Sequence, residues 1–193
     1  MAHLYFTRHG QTTWNVRNKI CGATDVELTP LGKKQAEILG LMLLDEGYKI
    51  DEILYSPLTR AADTATIISV ITGIPARAEM RLKEQCFGRY EGTPRNGADF
   101  HRAKMQFINS YDGGESMLRA GQRIYNLLDE LKYDEKVYLL VAHNGIARFV
   151  KSYFEDMTNE EFGKNGIRNC EIQRFEFDSL YRNSKSRQSI FRK

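Results

Sequence analysis

Cysteine, proline and long apolar runs are scarce in this chain of 193 residues. The three cysteines, Cys21, Cys86 and Cys170, lie far apart and form no C-x-x-C pair, so neither a zinc site nor a disulfide framework is expected. Only four prolines interrupt the chain. The longest strongly apolar stretch, residues 38–44, is far shorter than a bilayer span. These absences argue against a small protein held together by disulfides or metal, and against a membrane-spanning protein.

Charge of one sign is not in large excess either. The chain has 28 lysines and arginines against 25 aspartates and glutamates, and five of the basic residues lie in a tail at 182–193. The rest is slightly acidic, so no nucleic-acid-binding face is expected, and the tail is interpreted as a solvated terminus. Residues 1–10 carry His3, Arg8 and His9 where a secretory signal needs an apolar core. We therefore expect a cytoplasmic protein without a membrane or nucleic-acid partner.

The order of apolar segments predicts an α/β fold. Strands are expected at 3–7, 52–55, 76–79, 137–142 and 171–177, and helices at 29–47, 56–73, 116–131 and 145–154. Residues 81–112 are expected to be irregular with one helix, because glycine and proline punctuate them. Such alternation predicts a three-layer sandwich, with a mostly parallel central sheet flanked by helices, in a single domain over residues 1–181.

Two of the expected helices carry the same start signal. Thr29-Pro30 and Ser56-Pro57 each place a capping hydroxyl before a proline that suits the first helical turn. The second of these helices brings Arg60 into its first turn, close to the end of the preceding strand. The first is expected to bury a set of apolar side chains, those of Leu31, Ile38, Leu39, Met42 and Leu43.

Basic side chains follow the ends of three expected strands. In an open α/β sheet, ligands collect outside the carboxyl ends of the strands, and residues 8–10 and 143–145 follow two of them. Arg8, His9 and His143 should therefore meet, with Arg60 arriving from a third strand. Glycines and a helix N-terminus next to the histidines would face an anion. Two arginines and a histidine would supply three cations for a phosphate dianion, so phosphate is the expected ligand.

Five short blocks along the chain carry a family resemblance. They are 8–12 (Arg-His-Gly-Gln-Thr), 22–29 with Gly32 and 35–36, 56–61 with 64–65, 82–84 with 87–88 and 91–92, and 114–116 with 141–143. Together and in order, they resemble the blocks of the histidine phosphatase superfamily, the phosphoglycerate mutase-like proteins. The resemblance implies that superfamily's fold, with a small cap region at about 85–112 and with no metal or other cofactor.

The resemblance also assigns roles to individual residues. It implies that a phosphoryl group is transferred onto His9 while Arg8, Arg60 and His143 hold the phosphate. It implies that Glu84 is the general acid and, in a second step, the general base. A neutral imidazole suits this chemistry near pH 7, provided that a carbonyl acceptor fixes its second nitrogen. Substrate-binding roles are implied for four further residues, Asn15, Thr12, Gly22 and Asn144.

Other polar residues of the cap region have two interpretations. Arg95, Arg102 and Lys104 are interpreted as a solvated face, with contact to a second anionic group of the substrate as the alternative. Trp14 is interpreted as a packing residue rather than a substrate contact. His3 and His101 are given no role.

The leading hypothesis is a metal-independent phosphomonoesterase acting on a small phosphorylated metabolite. A bisphosphoglycerate-dependent phosphoglycerate mutase is the isomerase alternative. Such mutases carry a longer insertion than the short segment between Gly92 and Gly114, and a smaller cap gives water easier access to phosphohistidine. A phospho-ligand binding module without turnover is a further alternative, as is nucleic-acid binding by the tail. The assembly state, including a homodimer, stays open.

Overall fold

Residues 2–177 are described by the computed structural model, so the basic tail at 182–193 lies outside the described residues. Five strands form the central sheet: β1 (His3–Arg8), β2 (Glu52–Tyr55), β3 (Ala76–Ala78), β4 (Tyr138–Ala142) and β5 (Ile172–Glu176). Their spatial order is β3-β2-β4-β1-β5. β5 runs antiparallel to β1, whereas the other neighbours are parallel. The mostly parallel sheet predicted from the sequence is confirmed.

Helices cover both faces of this sheet. They are α1 (Thr13–Val16), α2 (Pro30–Asp45), α3 (Thr59–Thr72), α4 (Ala98–Lys104), α5 (Met117–Leu131), α6 (Asn144–Phe154) and α7 (Asn159–Lys164), with 3₁₀ turns at Met80–Leu82 and Gly88–Tyr90. α2 packs against α3 on one face, and α5 packs against α6 on the other. The predicted three-layer α/β arrangement is confirmed.

The central strand β4 divides the interior into two cores. All of its residues are buried. Leu140 and Ala142 pack with α5 and α6, whereas Leu139 and Val141 pack with α2 and α3, as alternation along a strand requires. Burial on both faces explains why this strand is a continuous apolar run. The strand therefore delivers His143 at a fixed point at its carboxyl end.

Helix α2 presents a different face to the core from the one predicted. Leu31 and Ile38 are 53% and 57% exposed, so the prediction that they are buried is wrong. The reason is the small residues on its inner face, among them Gly32 and Gly40. A Cβ on Gly32 would overlap the backbone of Gln11, which shows how closely the helix approaches the loop after β1. This close approach turns the two larger side chains outward.

The Ser-Pro start signal predicts the wrong first residue for α3. The helix begins at Thr59, and its N-cap residue, Leu58, makes no side-chain capping bond. Ser56 is not the cap because its hydroxyl lies 2.6 Å from Nε2 of His143. The corresponding prediction for α2 is confirmed, since the Thr29 hydroxyl accepts a backbone amide of the first turn.

Residues 85–112, the expected cap region, contain a 3₁₀ turn and α4. A separate apolar cluster joins this region to the loop after β1, and its members are Ile20, Phe87, Phe100, Ala103 and Tyr111. The sequence does not predict α1 and α7, because helices of four and six residues are too short to show helical periodicity. No helix within residues 2–177 is long and apolar enough to cross a bilayer.

Candidate active site

The carboxyl ends of β1 and β4 lie side by side and bring two histidines together. The strands pair with Arg8 opposite Ala142, and the His9 amide donates to the Ala142 carbonyl at 3.0 Å. His9 and His143 are the residues that directly follow these two strands. Their ring centroids lie 5.2 Å apart, and the ring planes are inclined by 59°. The expected meeting of the two strand ends is confirmed. Arg8, His9, Arg60 and His143 form the floor of the site.

His9 is held as a neutral base. The residue is 4% exposed, and Nδ1 of its ring lies 2.7 Å from the Gly10 carbonyl oxygen. Because a carbonyl oxygen only accepts, Nδ1 carries the ring proton and Nε2 keeps its lone pair. Burial, together with the positive charges of Arg60 and Arg8, holds the pKa of His9 well below its usual value. The ring is therefore neutral at pH 7, and the expected carbonyl acceptor is confirmed.

Arg60 enters the floor from the first turn of α3 and is 1% exposed. Its Nη2 donates to the Gly22 carbonyl at 2.7 Å and its Nη1 to the Thr24 carbonyl at 2.9 Å. Its Nε donates to Nδ1 of His143 at 3.2 Å. A Cβ on Gly22 would overlap the backbone oxygen of Gln85, so this loop needs a glycine to come close. Gly22 contributes to the site through its carbonyl group.

His143 is fully buried and uses both ring nitrogens within the protein. Since Nδ1 accepts from Arg60, the neutral ring carries its proton on Nε2, which donates to the Ser56 hydroxyl at 2.6 Å. Burial and the charge of Arg60 hold the pKa of His143 well below its usual value. The expectation of three cations is therefore wrong, because the floor has two arginine cations and two neutral rings.

Arg8 supplies the second cation of the floor. Burial lowers its pKa to about 10, so it remains protonated at pH 7. Its Nη1 donates to the Ile167 carbonyl at 3.1 Å, whereas its buried Nε has no hydrogen-bond partner among the described residues. A buried N–H without an acceptor costs roughly 1–3 kcal/mol. The floor therefore fits an anionic ligand that accepts from Arg8.

Glu84 lies at the edge of the floor and is 6% exposed. Its Oε2 accepts the Gly145 amide, at the N-terminus of α6, at 3.0 Å, and its Oε1 accepts the Gln85 amide at 3.0 Å. A Cβ on Gly145 would overlap the carboxyl group, so this contact depends on a glycine. The structure thus places Glu84 against the helix that begins directly after His143.

Asn15 and Thr12 fix one another at the start of α1. The Thr12 hydroxyl accepts the Asn15 amide at 3.2 Å, and Oδ1 of Asn15 accepts the Thr12 amide at 3.0 Å. Asn169 also reaches the same Oδ1 atom at 3.4 Å, so Asn15 has its Nδ2 group to offer a ligand. Thr12 is fully buried and its hydroxyl caps the helix. The Thr12 hydroxyl therefore holds Asn15 in place, and direct contact of Thr12 with a substrate stays a prediction.

A cavity of about 230 Å³ opens beside Glu84, and Asn144 borders it. Oδ1 of Asn144 accepts the Ile167 amide at 2.9 Å, so its Nδ2 group is the one that can meet a ligand. Asn144 and Glu84 are thus brought to the same cavity, and Asn144 directly follows His143 of the floor.

Three cations, Arg95, Lys104 and Arg148, line this cavity and form the mouth of the site. Arg95 donates to the Lys19 carbonyl at 3.0 Å and Arg148 to the Asn165 carbonyl at 2.6 Å. Within residues 2–177, no ion pair joins any of the three to a carboxylate. Burial, and then the charge of Arg148, lowers the pKa of Lys104 to about 8. The mouth is therefore positively charged at pH 7.

The interpretation of the cap cations as a solvated face is only partly correct. Arg102 is exposed and pairs with Asp99 on the same helix, as a solvated residue would. Lys104 is half-buried, with Nζ 5.6 Å from the centroid of the Phe100 ring, and it faces the cavity. The prediction that Lys104 is solvated is wrong, because α4 packs over the cavity and places this side chain in its lining.

A comparison with known protein families agrees with this geometry. The sequence profile of the histidine phosphatase superfamily (branch 1) matches residues 4–187. The chain belongs to the histidine phosphatase superfamily. The resemblance drawn from the five sequence blocks is confirmed.

Relatives within the histidine phosphatase superfamily carry names of two kinds. The probable phosphoglycerate mutase GpmB of Yersinia pestis (strain Pestoides F) is 30% identical over 187 residues, which cover 92% of this chain and 86% of that protein. A solved mycobacterial glucosyl-3-phosphoglycerate phosphatase has a TM-score of 0.78 at 26% identity, covering 90% of this chain and 89% of its own. A phosphoserine phosphatase from Entamoeba histolytica, solved with 3-phosphoglyceric acid, has a TM-score of 0.77 at 28% identity, covering 92% of both chains.

Two residues that hold the floor of this histidine phosphatase superfamily member were missed by sequence reasoning. Ser56 accepts from His143, and Asn169 donates through Nδ2 to the His9 carbonyl at 2.7 Å. Ser56 stands in a Ser-Pro pair that equally suits a helix cap, so its pattern was ambiguous. Asn169 lies in a loop before β5 with no periodicity around it, and nothing in the sequence alone marks it.

Two charged residues near the cavity were also missed. The Glu91 carboxylate accepts the amides of Ala23 at 2.8 Å and Phe87 at 3.1 Å, so it ties the loop that supports Arg60 to the cap region. Arg148 lies in the second turn of α6. Its position five residues after the strand-terminal histidine was a usable signal, since a side chain there remains near the same end of the sheet.

Proposed function

We propose that this protein is a metal-independent phosphomonoesterase that hydrolyses a small phosphorylated metabolite through a phosphohistidine intermediate on His9. The observation that carries the proposal is the state of the His9 ring, which is buried, neutral and protonated on Nδ1. Arg60 and Arg8 are close enough to depress its pKa. A neutral nucleophile beside two fixed cations suits attack on a phosphoryl group.

In the first step, Nε2 of His9 attacks phosphorus, and the bond from phosphorus to the ester oxygen breaks. The N–H groups of Arg8 and Arg60 stabilise the charge on the phosphoryl oxygens, and Nδ2 of Asn15 adds a neutral hydrogen bond. Glu84, in its protonated form, gives its proton to the departing alkoxide. The alcohol leaves, and the phosphoryl group stays on His9.

In the second step, water attacks phosphorus and the bond from phosphorus to Nε2 breaks. The Glu84 carboxylate takes a proton from the attacking water, inorganic phosphate forms, and the ring returns to its neutral state. The cavity of about 230 Å³ borders Glu84, so water in this cavity lies next to the carboxyl group that acts as the base. The same carboxyl group thus serves as acid and then as base.

The other predicted site residues have indirect or outer roles in this proposal. His143 orients Arg60 through its Nδ1 atom, and Gly22 holds the same guanidinium through its carbonyl. Thr12 supports the phosphate by capping α1 and fixing Asn15. Asn144 offers its amide to the leaving alcohol at the cavity.

A phosphoglycerate mutase is the second candidate, because the relative named probable phosphoglycerate mutase covers nearly the whole chain. A mutase must shield its phosphohistidine from water until the product has rebound. The residues between Gly92 and Gly114 supply α4 and short loops, and the cavity beside Glu84 stays open next to them. This favours hydrolysis over return of the phosphoryl group to a product.

A panel of phosphate esters, including 3-phosphoglycerate, tests the proposal. Each ester is incubated with the full chain, with and without 2,3-bisphosphoglycerate, and with and without a chelator. We expect release of inorganic phosphate that neither addition changes. Isomerisation of phosphoglycerate that depends on the bisphosphate would establish the mutase, and binding of esters without turnover would establish a non-catalytic module.

A further inference from the structure

A second cavity of about 530 Å³ adjoins the one beside Glu84. Four side chains give it an apolar lining, those of Met105, Phe107, Met117 and Phe162. It lies between the end of α4, the start of α5 and α7. The two cavities share part of their lining, because Lys104 and Arg148 border both. They are therefore neighbouring compartments, with two cations where they meet.

The proposed chemistry sets the direction in which the leaving group lies. An acid must be within hydrogen-bond reach of the oxygen that it protonates. Glu84 borders the smaller cavity, so the alcohol attached to that oxygen has to extend from Glu84 into this cavity. Any part of the alcohol that reaches past Lys104 and Arg148 then enters the second cavity.

The sizes of the cavities bear on what the alcohol can be. Small-molecule sites usually have volumes of about 300–1,000 Å³. The cavity beside Glu84, at about 230 Å³, falls below that range, whereas the second cavity, at about 530 Å³, lies within it. Its lining includes Met105, which is 64% exposed, and Phe107, which is 36% exposed. Removing such exposed apolar surface from water is favourable in free energy, so these side chains favour contact with an apolar group of a ligand.

We propose that the second cavity binds an apolar part of the substrate's leaving group. The natural substrate is then a phosphate ester of an alcohol with an apolar body. Its polar linking atoms lie at Lys104 and Arg148, and its phosphate lies on the floor. This inference rests on the proposed function, since that chemistry fixes which way the alcohol points.

A series of ethyl, butyl and hexyl phosphates tests the inference on the full chain. These esters share a primary alkoxide leaving group, so differences in kcat/KM report contacts along the chain rather than leaving-group ability. We expect kcat/KM to rise about two- to fourfold for each added methylene. The upper value, about fourfold, corresponds to a methylene that is completely buried in the cavity. A kcat/KM that does not rise from ethyl to hexyl would overturn the inference.

Paired variants locate the effect. Met105→Gln combined with Phe107→Ser should flatten the rise from ethyl to hexyl phosphate, because it removes two apolar walls of the cavity. Ile108→Ser is the matched control: this residue is 82% exposed on the same segment, lies outside both cavity linings, and should leave the rise unchanged. Equal slopes in the wild type and the double variant would contradict the assignment.

Binding of the corresponding alkylphosphonates, measured by calorimetry, separates this inference from the proposed function. Phosphonates cannot be hydrolysed, so their affinity reports the cavity without turnover. If affinity rises with chain length but no ester is hydrolysed, the proposed function fails and the cavity assignment stands. If esters are hydrolysed and affinity ignores chain length, the cavity assignment fails and the proposed function stands.

Discussion

The floor and the mouth of the site are both rich in cations, but they are built differently. In the floor, polar atoms fix one another: Arg60 donates to His143, and His143 donates to Ser56. In the mouth, the side chains of Arg95 and Arg148 each make one hydrogen bond among the described residues, from Nε to a backbone carbonyl, whereas the buried Arg60 makes three. In the proposed reaction, the floor is preorganised for the phosphoryl group that all substrates share, and the mouth contacts the part that differs between substrates.

The largest effect should come from removing the nucleophile in the floor. His9→Ala should lower kcat by at least about 10³-fold on every ester, because it removes the Nε2 atom that attacks phosphorus in the proposed reaction. His3→Ala is the control, since His3 lies at the opposite end of the same strand. Steady-state kinetics, with circular dichroism to verify folding, measure the difference. A His9→Ala variant that keeps wild-type kcat would refute the floor's role.

Glu84→Gln should separate substrates by their leaving groups. We expect a loss of about 10²–10⁴-fold for alkyl phosphates, whose alkoxides need a proton, and a much smaller loss for aryl phosphates. The kcat for each class of ester measures this. Equal losses on both classes would show that Glu84 is not the acid.

Arg60→Lys should lower kcat by about 10²–10³-fold, with a smaller change in KM. A lysine keeps the charge but cannot reach the Gly22 and Thr24 carbonyls and His143 at once, as the guanidinium does. Arg102→Lys, at an exposed cation, is the matched control and should leave kcat unchanged. If Arg60→Lys is as active as the control, a positive charge at this position is sufficient for catalysis and the hydrogen bonds of the guanidinium are not needed.

The sequence predicted the sheet and the two histidines for the same physical reason. Apolar runs as long as β4 must be buried on both faces, and parallel strands bring the residues after their carboxyl ends to one edge of the sheet. Glu84 was different, because its role came from the resemblance and not from any periodicity. The positions of Leu31 and Ile38 were wrong because glycines in α2 allow a close approach that only the folded chain reveals.

The protonation states of the floor were also beyond the sequence. Three cations were expected, and both rings turned out neutral because burial and the charge of Arg60 depress the pKa of each. Burial and neighbours are tertiary properties, so residue type alone could not give them. The same holds for Ser56, whose Ser-Pro pattern predicts a helix cap while the fold uses its hydroxyl to hold His143.

Ser56→Ala tests how much the floor depends on that hydroxyl. The change leaves the buried Nε2–H of His143 without its acceptor, so the free energy of unfolding should fall by about 1–3 kcal/mol. Chemical denaturation measures this loss, and kcat should fall with it as Arg60 loses its support. The same substitution at the exposed Ser110 is a control for loss of a hydroxyl. Unchanged stability would mean that the His143 contact contributes little.

The smallest effect concerns the mouth and its pH dependence. Lys104 has a pKa of about 8 because it is buried near Arg148 and Arg95, with Glu84 acting in the opposite direction. It is charged below pH 8 and neutral above, so its attraction for a second anionic group on the substrate is lost as pH rises. The ratio of kcat/KM for 3-phosphoglycerate over glycerol phosphate should fall about three- to tenfold between pH 7 and 9. Lys104→Met should give, at both pH 7 and pH 9, the low ratio that the wild type has at pH 9. If the variant keeps the pH dependence of the wild type, a group other than Lys104 causes it.

The most direct measurement is to trap the phosphorylated chain during turnover. The wild type and His9→Ala are mixed with an ester carrying a radiolabelled phosphoryl group, quenched within milliseconds in alkaline denaturant, and digested for peptide mapping. The account predicts label on the peptide that contains His9, lost on further incubation with unlabelled ester, and no label in the variant. Label on another residue, or full turnover in the variant without label, would contradict it.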